Sequence, residues 1–143
     1  MAISQAMCSS FKTQLLTGTH NFTNSSGNAF KMALYTSSAT LSAATTAYTS
    51  SNEVSSTNYT AKGGTLTNVT PSNGSGTVAF ASFSTLTFST VTFTARGALI
   101  HNTSASDKAV CVLDFGADKT ATAGNFTITF PTNDASTAVI RIV

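Results

Sequence analysis

Charge is what this sequence has least of. Only 8% of its 143 residues are Asp, Glu, Lys or Arg, against roughly 25% in ordinary globular domains. The formal net charge is +2, so there is no electrostatic footprint for nucleic acid or for an anionic membrane surface. Nor is there self-repulsion to keep crowded copies apart. No run approaches the roughly 20 apolar residues of a helical membrane span. Met1 to Ser10 has neither the basic opening nor the continuous apolar stretch of a secretory signal, and Lys12 interrupts early. Trp is absent, which counts against a sugar-binding groove lined with aromatic rings. Cys8 and Cys111 are the only cysteines, too few for a zinc site without His or acidic partners nearby. Cys111 lies inside Ala-Val-Cys-Val-Leu and reads as a small buried hydrophobe; a disulfide to Cys8 is the alternative.

Signatures of catalysis are also missing. His101, Asp114 and many serines invite a hydrolase reading, but no Gly-x-Ser-x-Gly elbow is present to expose a nucleophile. Asp114-Phe115-Gly116 copies a kinase triplet without any of its companions. Asp107, Asp114, Asp118 and Asp134 have no calcium-loop spacing, and loop aspartates usually bond their own backbone. Asn-x-Ser/Thr triplets such as Asn21-Phe22-Thr23 and Asn125-Phe126-Thr127 arise by chance in a chain this rich in Asn, Ser and Thr. We therefore nominate no catalytic, cofactor-binding or metal-ligating residue, and expect no cofactor and no enzymatic activity.

What the chain does have is Ser, Thr and Asn spaced by apolar residues. The stretch Val91 to Phe115 organises the rest. Val91, Phe93 and Ala95 alternate with Thr92 and Thr94, the period of a half-buried strand. Gly97–Ile100 and Ala109–Leu113 are apolar on both faces, and a polar turn joins them. This predicts a central hairpin covered on each side. Arg96-Gly97 marks a bulge or close backbone approach; Arg96 is either an edge cation or an intersubunit contact.

Ile3, Met7, Phe11 and Leu15 recur every four residues, which predicts a helix from about Ile3 to Leu16, capped by Ser4 and stopped at Gly18. Phe30–Tyr35 reads as a first strand. Thr36–Ser56 is a long Ser/Thr/Ala segment anchored by Leu41, Tyr48 and Val54, with a helical turn over Ala43–Tyr48; such a segment binds something or packs on a partner. Tyr59, Leu66 and Val69 mark short strands around Gly63-Gly64, and Pro71–Gly76 is a loop. Val78 and Phe80 begin another strand. Apolar parity changes at Ser89-Thr90, so a turn or bulge falls there. Gly116–Gly124 reads as a polar turn, Phe126–Phe130 as a strand, and Val139–Val143 as a terminal strand. The expectation is one all-β domain over residues 1–143: an antiparallel β-sandwich or small barrel, with a short N-terminal helix and arm in 1–18.

Six stretches carry a resemblance. They are M-A-I-S-Q-A-M-C-S-S-F-K at the start, F-K-M-A-L-Y-T-S-S-A-T-L from Phe30, S-N-E-V-S-S from Ser51, T-A-R-G-A-L-I-H-N from Thr94, V-C-V-L-D-F-G-A-D-K-T from Val110 and N-F-T-I-T-F-P from Asn125. Across nearly its whole length the chain resembles small structural virion proteins of tailed bacteriophages. The resemblance implies a capsid decoration, or cement, protein on the virion surface. Its partners would be the major capsid protein and copies of itself, a trimer among the options, with no nucleic acid and no membrane. A tail, adaptor or fibre component is the alternative. The N-terminal helix, Thr36–Ser56 and the C-terminal strand are the segments such a shell would grip.

Overall fold

The computed structural model describes residues 2–143; Met1, the first residue of the expected N-terminal arm, lies outside them. The elements run β1 (Ala6–Met7), α1 (Ser9–Leu16), β2 (Phe30–Tyr35), β3 (Gly64–Thr65), β4 (Asn68–Ser72), β5 (Ala79–Phe83), β6 (Leu86–Asn102), β7 (Lys108–Ile128) and β8 (Ile140–Ile142). Two sheets form, ordered β1-β7-β6-β2-β3 and β4-β5-β8. Every ladder between these strands is antiparallel. The architecture is an all-β sandwich that does not close into a barrel.

The central hairpin is β6 and β7, and it is longer than Val91–Phe115. Its turn is a short 3-10 segment, Thr103–Ala105, whose Ser104 N–H donates to Asn102 Oδ1 at 3.0 Å. Next to the turn, Gly97–Asn102 and Ala109–Val112 are buried residue after residue, with partners on both faces. Further out, β6 alternates: Phe88, Val91, Phe93 and Ala95 are buried between exposed Thr and Ser. The parity change at Ser89-Thr90 is a bulge within one continuous strand. The register slips between Phe88 and Val91, and Thr90 takes φ 52°.

Gly116–Gly124 is not a turn but the middle of β7. The polar residues there reflect solvent on one face and two bulges in the ladder. Ala95 pairs with Lys119 while Gly97 pairs with Asp114, so four residues of β7 stand opposite Arg96 alone. Gly97 is a close approach as expected. A Cβ there would lie 2.6 Å from Leu113 O and 2.9 Å from an Ile3 methyl. Arg96 is tied within the chain, its Nε donating to Asp118 Oδ1 at 2.8 Å.

The expected helix from Ile3 is shorter, Ser9–Leu16. Residues before it are extended because they find backbone partners: Ser4 N–H donates to Leu41 O, and Ala6 and Met7 pair with Val112 and Cys111. A helical turn bonds only itself, whereas these contacts cover an open edge of β7. Ser4 therefore caps nothing; the residue before the helix is Cys8, which makes no side-chain cap. The end is as read. Gly18 N–H bonds Leu15 O and Thr19 N–H bonds Gln14 O, the paired bonds of a glycine-terminated helix. Phe11 is its buried anchor, and the helix lies against β7.

Thr36–Ser56 packs on its own chain. Leu41 and Val54 are buried, Leu41 bridges Ile3, Glu53 bridges Tyr35 and Ala47 bridges Lys108. The helical turn expected over Ala43–Tyr48 is one hydrogen-bonded turn, Thr45 N–H to Ser42 O. Extended pairing of Ala47 prevents more. The two sheets meet through aromatic rings. Phe22 stacks on Phe30 with centroids 4.4 Å apart, and Phe83 of β5 packs against both. Tyr59, Phe88, Phe93 and Phe126 form a second aromatic run under the outer half of the hairpin.

Candidate functional site

One cluster of titratable groups forms beside the β6–β7 turn. Glu53 is the hub. Its carboxylate accepts from Tyr48 Oη at 2.6 Å, Tyr59 Oη at 2.8 Å and the Lys62 N–H at 2.8 Å. Tyr59 Oη in turn accepts from the Leu34 N–H of β2. Gly63 lets this loop reach the sheet: at φ +84° its Cα passes so close to Met32 that a Cβ would lie 1.7 Å from the carbonyl oxygen. Lys62 Nζ pairs with Asp107 and sits 5.7 Å from the Tyr48 ring centre.

His101 completes the cluster. It is fully buried, its ring stands 5.2 Å from that of Tyr48, its Nε2 donates to Lys62 O at 3.0 Å, and its Nδ1 faces Asp107 Oδ1 at 3.2 Å. Partial burial alone would raise the Asp107 carboxyl; the hydrogen bond from Lys62 and the neighbouring His101 and Lys62 outweigh it and hold the group below its usual range. Burial, reinforced by Glu53, pushes the Tyr48 hydroxyl up to about 12 and raises Tyr59 as well. Chemically the cluster is a lock. Both imidazole nitrogens are engaged within the protein, so the ring has no free nitrogen to offer a substrate.

Asp114, the other half of the hydrolase pattern, is elsewhere. It pairs with Gly97 whereas His101 pairs with Ala109. Asp114 Oδ1 accepts the Gly116 N–H. Asp118 holds Arg96, and Asp134 accepts from Ser136 and Thr137. The four aspartates serve four separate local contacts. Cys8 and Cys111 are buried free thiols, and burial pushes them up to about 11 and about 12.

A second polar chain lies under the helix. His20 bonds Gln14 Oε1 through Nε2 at 2.8 Å and Asn102 Nδ2 through Nδ1 at 2.9 Å. Asn102 Nδ2 continues to Asn28 Oδ1. This ties the helix, the loop before β2 and the hairpin turn together.

Two partly apolar depressions lie on the surface of the described residues. The larger, about 790 Å³, lies between the outer edge of β7 and the segment entering β8; its lining includes Phe126, Ile128, Phe130, Val139, Lys119 and Arg141. The smaller, about 450 Å³, lies between α1 and the second sheet, lined by Leu15, Phe22, Phe80 and Ile142 among others. Among the described residues, Leu16, Ile142 and Val143 are the exposed large apolar side chains. Many of the exposed hairpin residues are threonines, two pairs of which bond across strands at Thr87–Thr127 and Thr94–Thr120.

Sequence reading missed the lock and the grooves. Tyr48, Glu53, Tyr59, Lys62, His101 and Asp107 have no spacing that announces a site; only folding assembles them. Comparison of the chain with protein-family models, with curated proteins and with solved structures returned no match.

Proposed function

We propose that this is a structural binding protein, a bacteriophage capsid decoration protein that stabilises the head through contacts with the major capsid protein and with its own copies. The observation that carries the reading is the surface. A tightly hydrogen-bonded β body presents two apolar depressions and exposed Leu16, Ile142 and Val143 on an outside with little charge. Apolar patches on a rigid, charge-poor exterior suit association, and contacts repeated over many copies need only modest individual strength. The family resemblance of the sequence supports the same reading. An enzymatic role finds no support in His101, which is locked on both nitrogens.

Phage particles made without the protein should lose DNA at lower temperature, or on removal of divalent ions, than complete particles. Equal robustness would remove the stabilising role. Copy number separates the head from the tail alternative: hundreds of copies per particle fit a shell component, a dozen or fewer an adaptor or fibre.

A further inference from the structure

An open strand edge borders the larger groove. On one wall, β1 covers β7 only opposite Cys111 and Val112, and the Gln5 side chain takes the Asp114 N–H. Beyond that point β7 is bonded to β6 on its inner side, and among the described residues no backbone hydrogen bond joins its outer side to another element. The bulges at residues 115–118 and 122–123 make most of this edge a poor template. Phe126–Ile128 is different. It runs in regular step with Leu86–Phe88 and borders the groove. On the opposite wall lie the segment entering β8, with Ala138 and Val139, and Arg141 of β8 itself. A groove beside an open strand edge, lined in part by Phe126, Ile128, Phe130 and Val139, fits an added strand, whose backbone extends the ladder and whose alternate side chains meet those apolar residues.

Charge narrows the occupant. Lys119 and Arg141 line the groove and make no ion pair among the described residues, although Arg141 Nη1 donates to Ala135 O at 3.2 Å and its charge helps to lower the Asp134 carboxyl. Asp114, the carboxylate beside them, already accepts the Gly116 N–H. A second copy of this chain is poorly suited to answer these cations. Its five carboxylates are all engaged: Glu53 by tyrosines, Asp107 by Lys62, Asp114 by Gly116, Asp118 by Arg96 and Asp134 by its own loop. Its Lys12, Lys31 and Lys108 are further cations without ion pairs among the described residues.

We propose that this groove docks an extended segment of a different protein, one that alternates apolar residues with Asp or Glu, added as a strand along Phe126–Ile128 between Lys119 and Arg141. The inference gives a partner chemistry to the binding role proposed above, and it does not require the partner to belong to a virion.

The test uses the full chain and a labelled, end-blocked peptide of about seven residues alternating valine with glutamate, the length of an ordinary strand. Controls alternate valine with lysine or carry valine and glutamate in blocks. The alternating acidic peptide should bind, should weaken on the order of tenfold when salt rises from about 50 to about 500 mM, and should shift amide resonances of Phe126–Ile128. The double variant Lys119→Glu, Arg141→Glu should reverse the preference towards the lysine peptide. Arg141→Glu also gives up the bond to Ala135 O, so folding of the variant is checked separately by its melting temperature and by an amide spectrum unchanged away from the groove. Equal binding of the basic or blocked peptide would overturn the proposal, as would absence of acidic-peptide binding. So would a self-association broken by the same double variant, which would place a second copy in the groove. Failure here leaves the particle-stability test of the proposed function standing, and the reverse holds equally.

Discussion

The imidazole of His20 sits between an oxygen that can only accept and an amide nitrogen that, as held, can only donate. Gln14 Oε1 takes the Nε2 proton, and Asn102 Nδ2 gives to Nδ1. Asn102 cannot turn over without losing the bond from Ser104 N–H to its Oδ1. A second proton on His20 would set donor against donor. Burial, and then the charge of Lys108, accordingly lower its affinity for that proton. The unfolded chain binds it near 6.5, the ordinary value, so folding is favoured fully above that pH and loses stability as pH falls below it. Urea midpoints measured from pH 7.5 to 5 should decline, and His20→Gln should flatten the decline; an unchanged slope would show that the proton is carried elsewhere. Glu53 offers a test at the same scale. Its removal in Glu53→Ala leaves the Tyr48 and Tyr59 hydroxyls and the Lys62 N–H without their acceptor. The cost should be about 1–3 kcal/mol in urea denaturation.

Among the elements, those whose pattern is set by their own pleat were legible. Phe30–Tyr35 is β2 to the residue, and the slip of apolar parity at Ser89-Thr90 is a real bulge. Elements defined by a distant partner were not. The four-residue spacing of Ile3, Met7, Phe11 and Leu15 is helical on its own. The partners that pull Ile3 and Met7 straight are Leu41 and Cys111, far along the chain. Polar Gly116–Gly124 looks like a turn because its outer edge and one face meet water, and only the ladder with β6 reveals a strand. The polar lock was illegible for the same reason, as Tyr48 and Glu53 of the long segment after β2 meet Lys62 before β3 and Asp107 of the hairpin turn only in the fold. Gly97 is where the element scale becomes testable. Its missing Cβ lets β6 approach Leu113 O while Ile3 lies over it. Gly97→Ala should force these apart and cost about 1–3 kcal/mol by overpacking, visible as a lower melting temperature.

For the molecule as a whole, the hairpin has two halves with different physics. Near the turn, Gly97–Asn102 and Ala109–Val112 are buried on both faces, flanked by β2 on one side and by β1 and Ala47 on the other. Farther out, the same two strands have a threonine face in water, bulges at 89–90, 115–118 and 122–123, and an outer edge with no strand beside it. Opening such a ribbon exposes less apolar surface and breaks fewer shared contacts, so its local stability is lower. Amide hydrogen exchange should therefore be slowest at Leu99–Asn102 and Val110–Val112, set by global unfolding. It should be markedly faster at Phe115–Lys119 and Ala123–Asn125. An acidic strand seated in the groove would protect Phe126–Ile128 selectively and leave the inner half unchanged. Uniform protection along both strands in the free protein would mean that the outer ribbon is as firmly held as the centre, and that its open edge is already closed by something in solution.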